Sequence, residues 1–402
     1  DYDMSDRLYF EEITLERVLD IYQLEQSEGV VVSLGGQVPN NIAMDLYKNN
    51  VKILGTSPKS IDCAEDRSKF SDLLDNLNID QPEWSVLNNI DETEKFCNKV
   101  GFPALIRPSY VLSGASMKVI NNKIELENYL KNIELSNSHP VVITKFIERS
   151  KEIEVDGVAQ NGKLINYAVS EHIENAGVHS GDATLVLPAQ KLYLETVKRI
   201  KKITRLITKN LNISGPFNIQ FLSKDNHIKV IECNLRASRS FPFVSKTYNV
   251  NFIDIATKVM LNIDFEPASV NIYDMDYVCV KAPIFSFTRL PNADPVLGVE
   301  MASTGEVACY GSDINDAFLK SMVASGFKIP KKNVLISINK VYREYLLESL
   351  RKLKDYNIFA TPTTSVFLTE HNITNTKLSY EEVFEHINNN KVELIINIPS
   401  NV

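Results

Sequence analysis

In this 402-residue chain the side chains best suited to do chemistry are concentrated between Gly215 and Phe241, in GPFNIQFLSKDNHIKVIECNLRASRSF. Gln220, Glu232 and Asn234 offer oxygen donors there, and Arg236 and Arg239 follow at once. Hard oxygen ligands suit Mg²⁺, which is usually held by one or two carboxylates together with substrate phosphates rather than by an all-protein cage. Planar guanidinium groups grip phosphoryl or carboxylate oxygens bidentately. The combination describes phosphate chemistry. A polar hairpin with surface arginines is the plainer reading of an isolated E-x-N, and the full constellation weighs against it.

The elements that must position these groups are legible as two strands. Residues 217–222 and 228–234 are predicted to pair across the polar, turn-forming SKDNH. Because side chains alternate along a strand, Gln220 shares a face with Asn218 and Glu232 with Asn234. Phe217, Ile219, Phe221, Ile231 and Cys233 fall on the opposite, apolar face, which explains a folded sheet but not the converging amides and carboxylate. Upstream, strands at 30–34 and 51–54 alternate with helices at 40–48 and 65–77, an α/β pattern that predicts a parallel sheet. The loop SLGGQVPNN between the first strand and helix has the glycines of a phosphate cradle, yet a lone GG before a helix is more often a tight turn, and it is not counted as a nucleotide site.

Composition bounds the function. With 44% hydrophobic residues the chain can build two or three domains with cores. A net charge of −8 argues against electrostatic nucleic-acid binding, so its phosphates are expected to be those of small molecules. Cys63, Cys97, Cys233, Cys279 and Cys309 are scattered, odd in number and lack C-x-x-C spacing, which predicts neither a zinc site nor a disulfide framework and favours a reducing compartment. The acidic start DYDMSDRLYFEE has no apolar signal region, and no run reaches the length of a membrane span. The termini read as those of an excised piece of a longer polypeptide, so targeting information is expected to lie outside it.

The stretch IECNLRASRSFPFVSK resembles the ATP-grasp fold, and specifically the large subunit or domain of carbamoyl-phosphate synthetase. The resemblance continues through SLGGQVPNNIA (33–43), RPSYVLSGASM (107–117), SEHIENAGVHSGDAT (170–184) and MASTGEVACYG (301–311), in the family's order and over nearly the whole chain. The GGQ-x-PNN motif and the short α/β segment after residue 330 are more similar to the second of the family's two synthetase halves, which is implied to phosphorylate carbamate. The implied organisation is an α/β chain: a Rossmann-like pre-ATP-grasp domain at 1–62, an ATP-grasp domain at 63–328, and part of a methylglyoxal-synthase-like regulatory domain at 329–402.

The same resemblance implies roles residue by residue. Gln220, Glu232 and Asn234 are implied to hold Mg²⁺ or Mn²⁺, with K⁺ as a further cation, and Gln220 and Glu232 to contact the nucleotide through it. Asn234, Arg236 and Arg239 serve the reacting carbamate and phosphoryl group. ATP is implied to contact Arg67 and Arg107, the latter beside a glycine loop that could close over its phosphates. At the end of strand 141–146, Ile147 would meet the adenine edge through its backbone, Glu152 the ribose hydroxyls, and Lys145 a phosphate or the purine. Each alone reads as solvated surface, and a surface-helix arginine weighs equally for Arg67. Gly177, Val178, His179 and Ser180 are assigned to nucleotide contact. Phosphoryl transfer depends on positioning and charge stabilisation, so His179 is expected to orient rather than to act as the decisive base. In the last segment Ser337, Thr361 and Thr364 match effector-site positions, where hydroxyls can donate to a phosphate or equally serve as helix N-caps.

The expected activity is ATP- and Mg²⁺-dependent conversion of carbamate to carbamoyl phosphate, with the first synthetase half and a glutamine amidotransferase domain or subunit as partners, no nucleic acid and no membrane. A cytoplasmic location is expected, with a mitochondrial one left open. The alternatives are another ATP-grasp ligase such as a biotin carboxylase, and a nucleotide-binding regulatory or scaffold segment without turnover.

Overall fold

The structure is a computed structural model that describes residues 4–87, 90–108, 117–131, 141–267, 275–287, 290 and 293–399. Residues 109–116, most of the expected glycine loop, lie outside the described residues. The chain divides into two compact units, Asp1–Ser325 and Gly326–Val402.

The first unit opens with the predicted alternation. β1 (Val30–Val31) and β2 (Ile53–Leu54) pair in parallel, shorter than expected. The expected helix at 40–48 is two, Gln37–Asn41 and Ala43–Lys48. The helix expected at 65–77 is interrupted at Asp66, whose extended backbone makes it an N-cap with its carboxylate accepting from the Lys69 amide. That break starts a new helix, Arg67–Asn76, and sets Arg67 at its first position. This layer owns no separate core: Val32, Leu46 and Ile61 pack in one cluster with Ile153, Ile219 and Val230 of the large sheet described below.

A four-stranded antiparallel sheet follows, from β3 (Trp84–Leu87), β4 (Ala104–Pro108), β5 (Lys118–Ile120) and β6 (Val141–Lys145) in the order β3-β6-β4-β5. Ile106 and Ile143 bury their side chains with Cys97 and Leu126 of the flanking helices. The larger sheet has β7 (Lys151–Gln160), β8 (Lys163–Asn175), β9 (Leu185–Leu187), β10 (Gly215–Lys224), β11 (His227–Asn234), β12 (Val278–Ile284) and β13 (Gly305–Gly311), ordered β11-β10-β7-β8-β9-β12-β13. Alternation divides its faces. Ile153 and Val155 of β7 enter the core beneath helix Leu194–Asn210. On the other face Val158 and Ala168 pack under helices Phe241–Tyr248 and Phe252–Met260. Further along that second face Glu152, Glu154 and Asp156 are buried, and buried carboxylates require partners.

The second unit is a parallel sheet of β14 (Asn333–Ile338), β15 (Asn357–Ala360), β16 (Thr376–Lys377) and β17 (Leu394–Ile398), ordered β16-β15-β14-β17. Val334, Ile336, Ile358 and Leu368 form its core. The helix expected at 342–354 runs from Lys340 to Arg351, because the Asn339 side chain caps it by accepting from the Val341 amide.

Candidate active site

The β10–β11 hairpin turns on Asp225 and Asn226, both at positive φ (51° and 62°), the backbone of a type I′ turn. Its register sets Asn218 opposite Asn234 and Gln220 opposite Glu232, so the four polar side chains converge as expected. One expectation fails. A bulge between Gln220 and Phe221 inserts Ile231 as an extra residue, and alternation resumes one position later. Val230 and Cys233 therefore both enter the core, whereas Ile231 leaves the apolar face and lines a cavity, with its carbonyl accepting from Arg67.

That cavity gathers every residue expected to contact nucleotide. Arg67, Arg107 and Lys145 line it with Ile147, Glu152 and the loop Gly177–Ser180, and Gln220 and Glu232 close one end. Leu105, Val142, Phe146, Val178 and Leu222 supply apolar wall suited to a planar base. Lys145 donates to the Gly101 and Phe102 carbonyls (3.1 and 2.9 Å), which points its stem along the wall. Arg67 keeps a buried Nε without a partner. Burial, with Arg107 adding to it against the pull of Glu232, lowers the Arg67 guanidinium to about 10. Burial likewise raises the Glu152 carboxyl to about 7, opposed by His172 and reinforced by Glu154 and Glu232.

A second cavity shares His179, Ser180, Gln220 and Glu232 with the first and is lined beyond them by Asn234, Arg236, Arg239 and Lys281. Here the polar groups hold one another. Asn234 Nδ2 donates to Glu232 Oε1 at 3.0 Å, Arg236 Nε to Gln37 Oε1 at 3.0 Å, and Arg239 to Ser303 Oγ at 3.0 Å. Beneath them Ser238 and Asn218 donate to Asp156 Oδ1 (2.5 and 2.9 Å). Burial, then the charge of Glu154, raises Asp156 to about 6. Burial also acts to raise Glu154, but the hydrogen bond and charge of His172 at 3.2 Å outweigh it and hold Glu154 below its ordinary value. The same pair raises His172 against its own burial.

His179 departs from a general base in one decisive respect. Its Nδ1 accepts from the Gly181 amide at 3.0 Å, so the ring proton sits on Nε2, and burial lowers its affinity for a second proton. A neutral, oriented donor fits the expected role. Gln220 spends its amide nitrogen on Ser180 Oγ at 3.0 Å, which leaves the carbonyl oxygen for a cation. Among the described residues no three His, Cys, Asp or Glu side chains form a group that could hold a metal ion by themselves, so a metal here would have one carboxylate, Glu232, two carboxamides and the substrate's phosphates, a set that fits Mg²⁺ or Mn²⁺.

A family model described as the carbamoyl-phosphate synthase L chain, ATP binding domain, matches residues 66–267, half of the chain, and the carbamoyl phosphate synthase preATP-grasp domain matches residues 1–63. The chain belongs to the carbamoyl-phosphate synthase large-chain family. It is 56% identical to the multifunctional protein URA2 of Saccharomyces cerevisiae and 49% identical to the mitochondrial carbamoyl-phosphate synthase [ammonia] of Rattus norvegicus, each match covering all of this chain. It spans only 19% and 28% of those proteins. The fold is that of ATP-grasp enzymes: biotin carboxylase from Campylobacter jejuni superposes with a TM-score of 0.62 at 16% identity, over 78% of this chain and 77% of that one. N5-carboxyaminoimidazole ribonucleotide synthetase from Thermotoga maritima gives 0.56 at 16% identity, over 77% and 83%.

The sequence reading did not single out two residues that line the second cavity or the serine behind it: Gln37, from the loop not counted as a nucleotide site, reaches Arg236; Lys281 lies in the apolar strand β12; and Ser303, just before β13, bonds Arg239. Only Gln37 carried a signal, its place in the GGQ motif. In the second unit Ser337, Thr361 and Thr364 do meet at the C-terminal ends of β14 and β15. Thr361 occupies an N-cap position but makes no side-chain cap bond, and Thr364 Oγ1 accepts from the Ile338 amide at 3.1 Å, so neither is a plain cap. No helix among the described residues is long and apolar enough to cross a membrane.

Proposed function

We propose that this chain is the second synthetase half of carbamoyl-phosphate synthase and phosphorylates carbamate with ATP. The observation that carries the reading is the junction of two unlike cavities at Gln220 and Glu232: one with apolar walls and the cations Arg67, Arg107 and Lys145, the other lined by Arg236, Arg239 and Lys281. Adenine lies between Val142, Phe146 and Leu222, the ribose faces Glu152, and Arg67 and Arg107 neutralise the phosphates. Arg236 and Arg239 orient carbamate as an anion. Its oxygen attacks the γ-phosphorus in line, the bond from that phosphorus to the β-bridging oxygen breaks, and ADP leaves with the electron pair. Gln220, Glu232 and Asn234 would hold Mg²⁺ or Mn²⁺, which when bound would supply charge neutralisation to the transferring phosphoryl group. No proton need be removed from an anionic nucleophile, in keeping with a neutral His179.

The missing partners would be the first synthetase half and a glutamine amidotransferase, which fits relatives several times longer than this chain. The likeness to the yeast multifunctional protein favours pyrimidine biosynthesis in the cytoplasm. Ser337, Thr361 and Thr364 would form part of an effector-phosphate site. The direct test is ATP formation from ADP and carbamoyl phosphate with Mg²⁺, comparing the chain with Glu232→Ala. Activity lost in the variant supports the site; wild-type rates in the variant sink it.

A further inference from the structure

Asp182 is fully buried and takes no part in the chemistry above, yet it is satisfied in an informative way. Its Oδ2 accepts from the Ala302 amide and its Oδ1 from the Ser303 amide, each at 2.8 Å. Two more bonds join the same segments: the His179 amide donates to the Gly298 carbonyl at 2.8 Å, and Ser303 Oγ donates to the Gly181 carbonyl at 3.0 Å. The approach is tight, since a Cβ on Gly181 would meet Met301 Sδ at 2.7 Å. Segment 298–303 is thus fastened to the loop that lines the nucleotide cavity. Ser303 is the outlet of that attachment. Its single proton is committed to Gly181, so its oxygen can only accept from the Arg239 guanidinium at 3.0 Å. Met301 Sδ lies 3.0 Å from the same nitrogen.

We propose that Asp182 and Ser303 are positioning residues that couple the nucleotide loop to Arg239. The loop presents His179 and Ser180 to one cavity and, through Ser303, sets the arginine of the other. Nucleotide that orders the loop therefore also orders the group that holds the second substrate, and the coupling is reciprocal. The inference rests on the reading of the second cavity as the carbamate site.

The test measures carbamoyl-phosphate binding to the full chain by calorimetry, with and without saturating ADP and Mg²⁺, for wild type, Ser303→Ala, Arg239→Ala, the double variant, and Ser303→Thr. Wild type is expected to bind carbamoyl phosphate at least tenfold more tightly with ADP present. Ser303→Ala should lose most of that ADP-dependent gain while its ADP affinity without carbamoyl phosphate stays within twofold. Ser303→Thr, which keeps the hydroxyl, should restore the gain, and Ser303→Ala should have little further effect on top of Arg239→Ala. Effects that multiply in the double variant, or a Ser303→Ala protein that keeps the full ADP-dependent gain, overturn the coupling and leave the site assignment standing. A wild-type chain that binds ADP but no carbamoyl phosphate overturns both. Asp182→Asn, which turns one acceptor into a donor facing an amide, should behave as Ser303→Ala if it folds; the serine variants decide the matter if it does not.

Discussion

The two cavities share Gln220 and Glu232 but are built on opposite plans. In the nucleotide cavity the charged groups are held apart from one another: Lys145 bonds backbone carbonyls, Arg67 bonds one carbonyl and keeps a buried nitrogen free, and the nearest cross-cavity ion pair, Arg107 to Glu232, is 3.8 Å long. In the second cavity side chain grips side chain, from Gln37 through Arg236 to Asn234 and Glu232, and from Ser238 to Asp156. A large ligand brings its own apolar area and many contacts, so its site can wait with desolvated charge. A small anion offers few atoms, and its site gains selectivity only if neighbouring side chains hold the donors when it arrives.

Four experiments would break or sharpen that contrast. Glu232 belongs to both cavities, so Glu232→Ala should lower ATP formation from ADP and carbamoyl phosphate by at least about a hundredfold, whereas ADP binding without metal should change little. Equal losses in both would erase the distinction between the cavities.

Glu152 belongs only to the first cavity and is predicted to act through pH. Its folded carboxyl, raised mainly by burial from 4.5 to about 7, favours the neutral form in the folded state. The stability it contributes is therefore full below about pH 4.5 and lost as pH rises through 7, a change of about 3 kcal/mol at 1.36 per unit. Unfolding without nucleotide should show wild type losing stability over that range relative to Glu152→Gln. ADP affinity should run the other way, rising through pH 7 in wild type as the ribose hydroxyls gain an ionised acceptor, and staying flat in the variant. Parallel stability curves for the two proteins would falsify the assignment.

Gln37 belongs only to the second cavity. Releasing Arg236 by Gln37→Ala should raise KM for carbamoyl phosphate about tenfold, or 1.4 kcal/mol, with KM for ADP unchanged; a matched rise in both would mean that the loop supports the whole site. The smallest effect is expected outside both cavities. Asn339→Ala removes a helix cap in the second unit and should cost about 1 kcal/mol of its stability, with both KM values unmoved.

The legibility of the site follows from the range of its interactions. The β10–β11 hairpin was readable because turn residues, alternation and donor types are all local, and Asn218, Gln220, Glu232 and Asn234 converge as their spacing requires. Lys145, Ile147 and Glu152 were reachable only through family likeness, since nothing in their neighbours distinguishes a ligand contact from surface. Ile231 was misplaced because a bulge is a one-residue defect in alternation that depends on the partner strand.

By itself the sequence determined the α/β class, the polar hairpin, the absence of zinc-type cysteine spacing and, through its long motifs, membership of the carbamoyl-phosphate synthase family. Only the tertiary structure decided that Gln37 would bridge almost two hundred residues to Arg236, that Lys281 would be buried within reach of Glu306 at 3.8 Å, and that Asp182 would fasten the loop after β8 to the segment carrying Ser303. Those bonds join residues with no local relation, and each is fixed by where the strands and loops pack. Periodicity reports which face a side chain takes, whereas the partner it meets across that face is set by the packing of the whole chain.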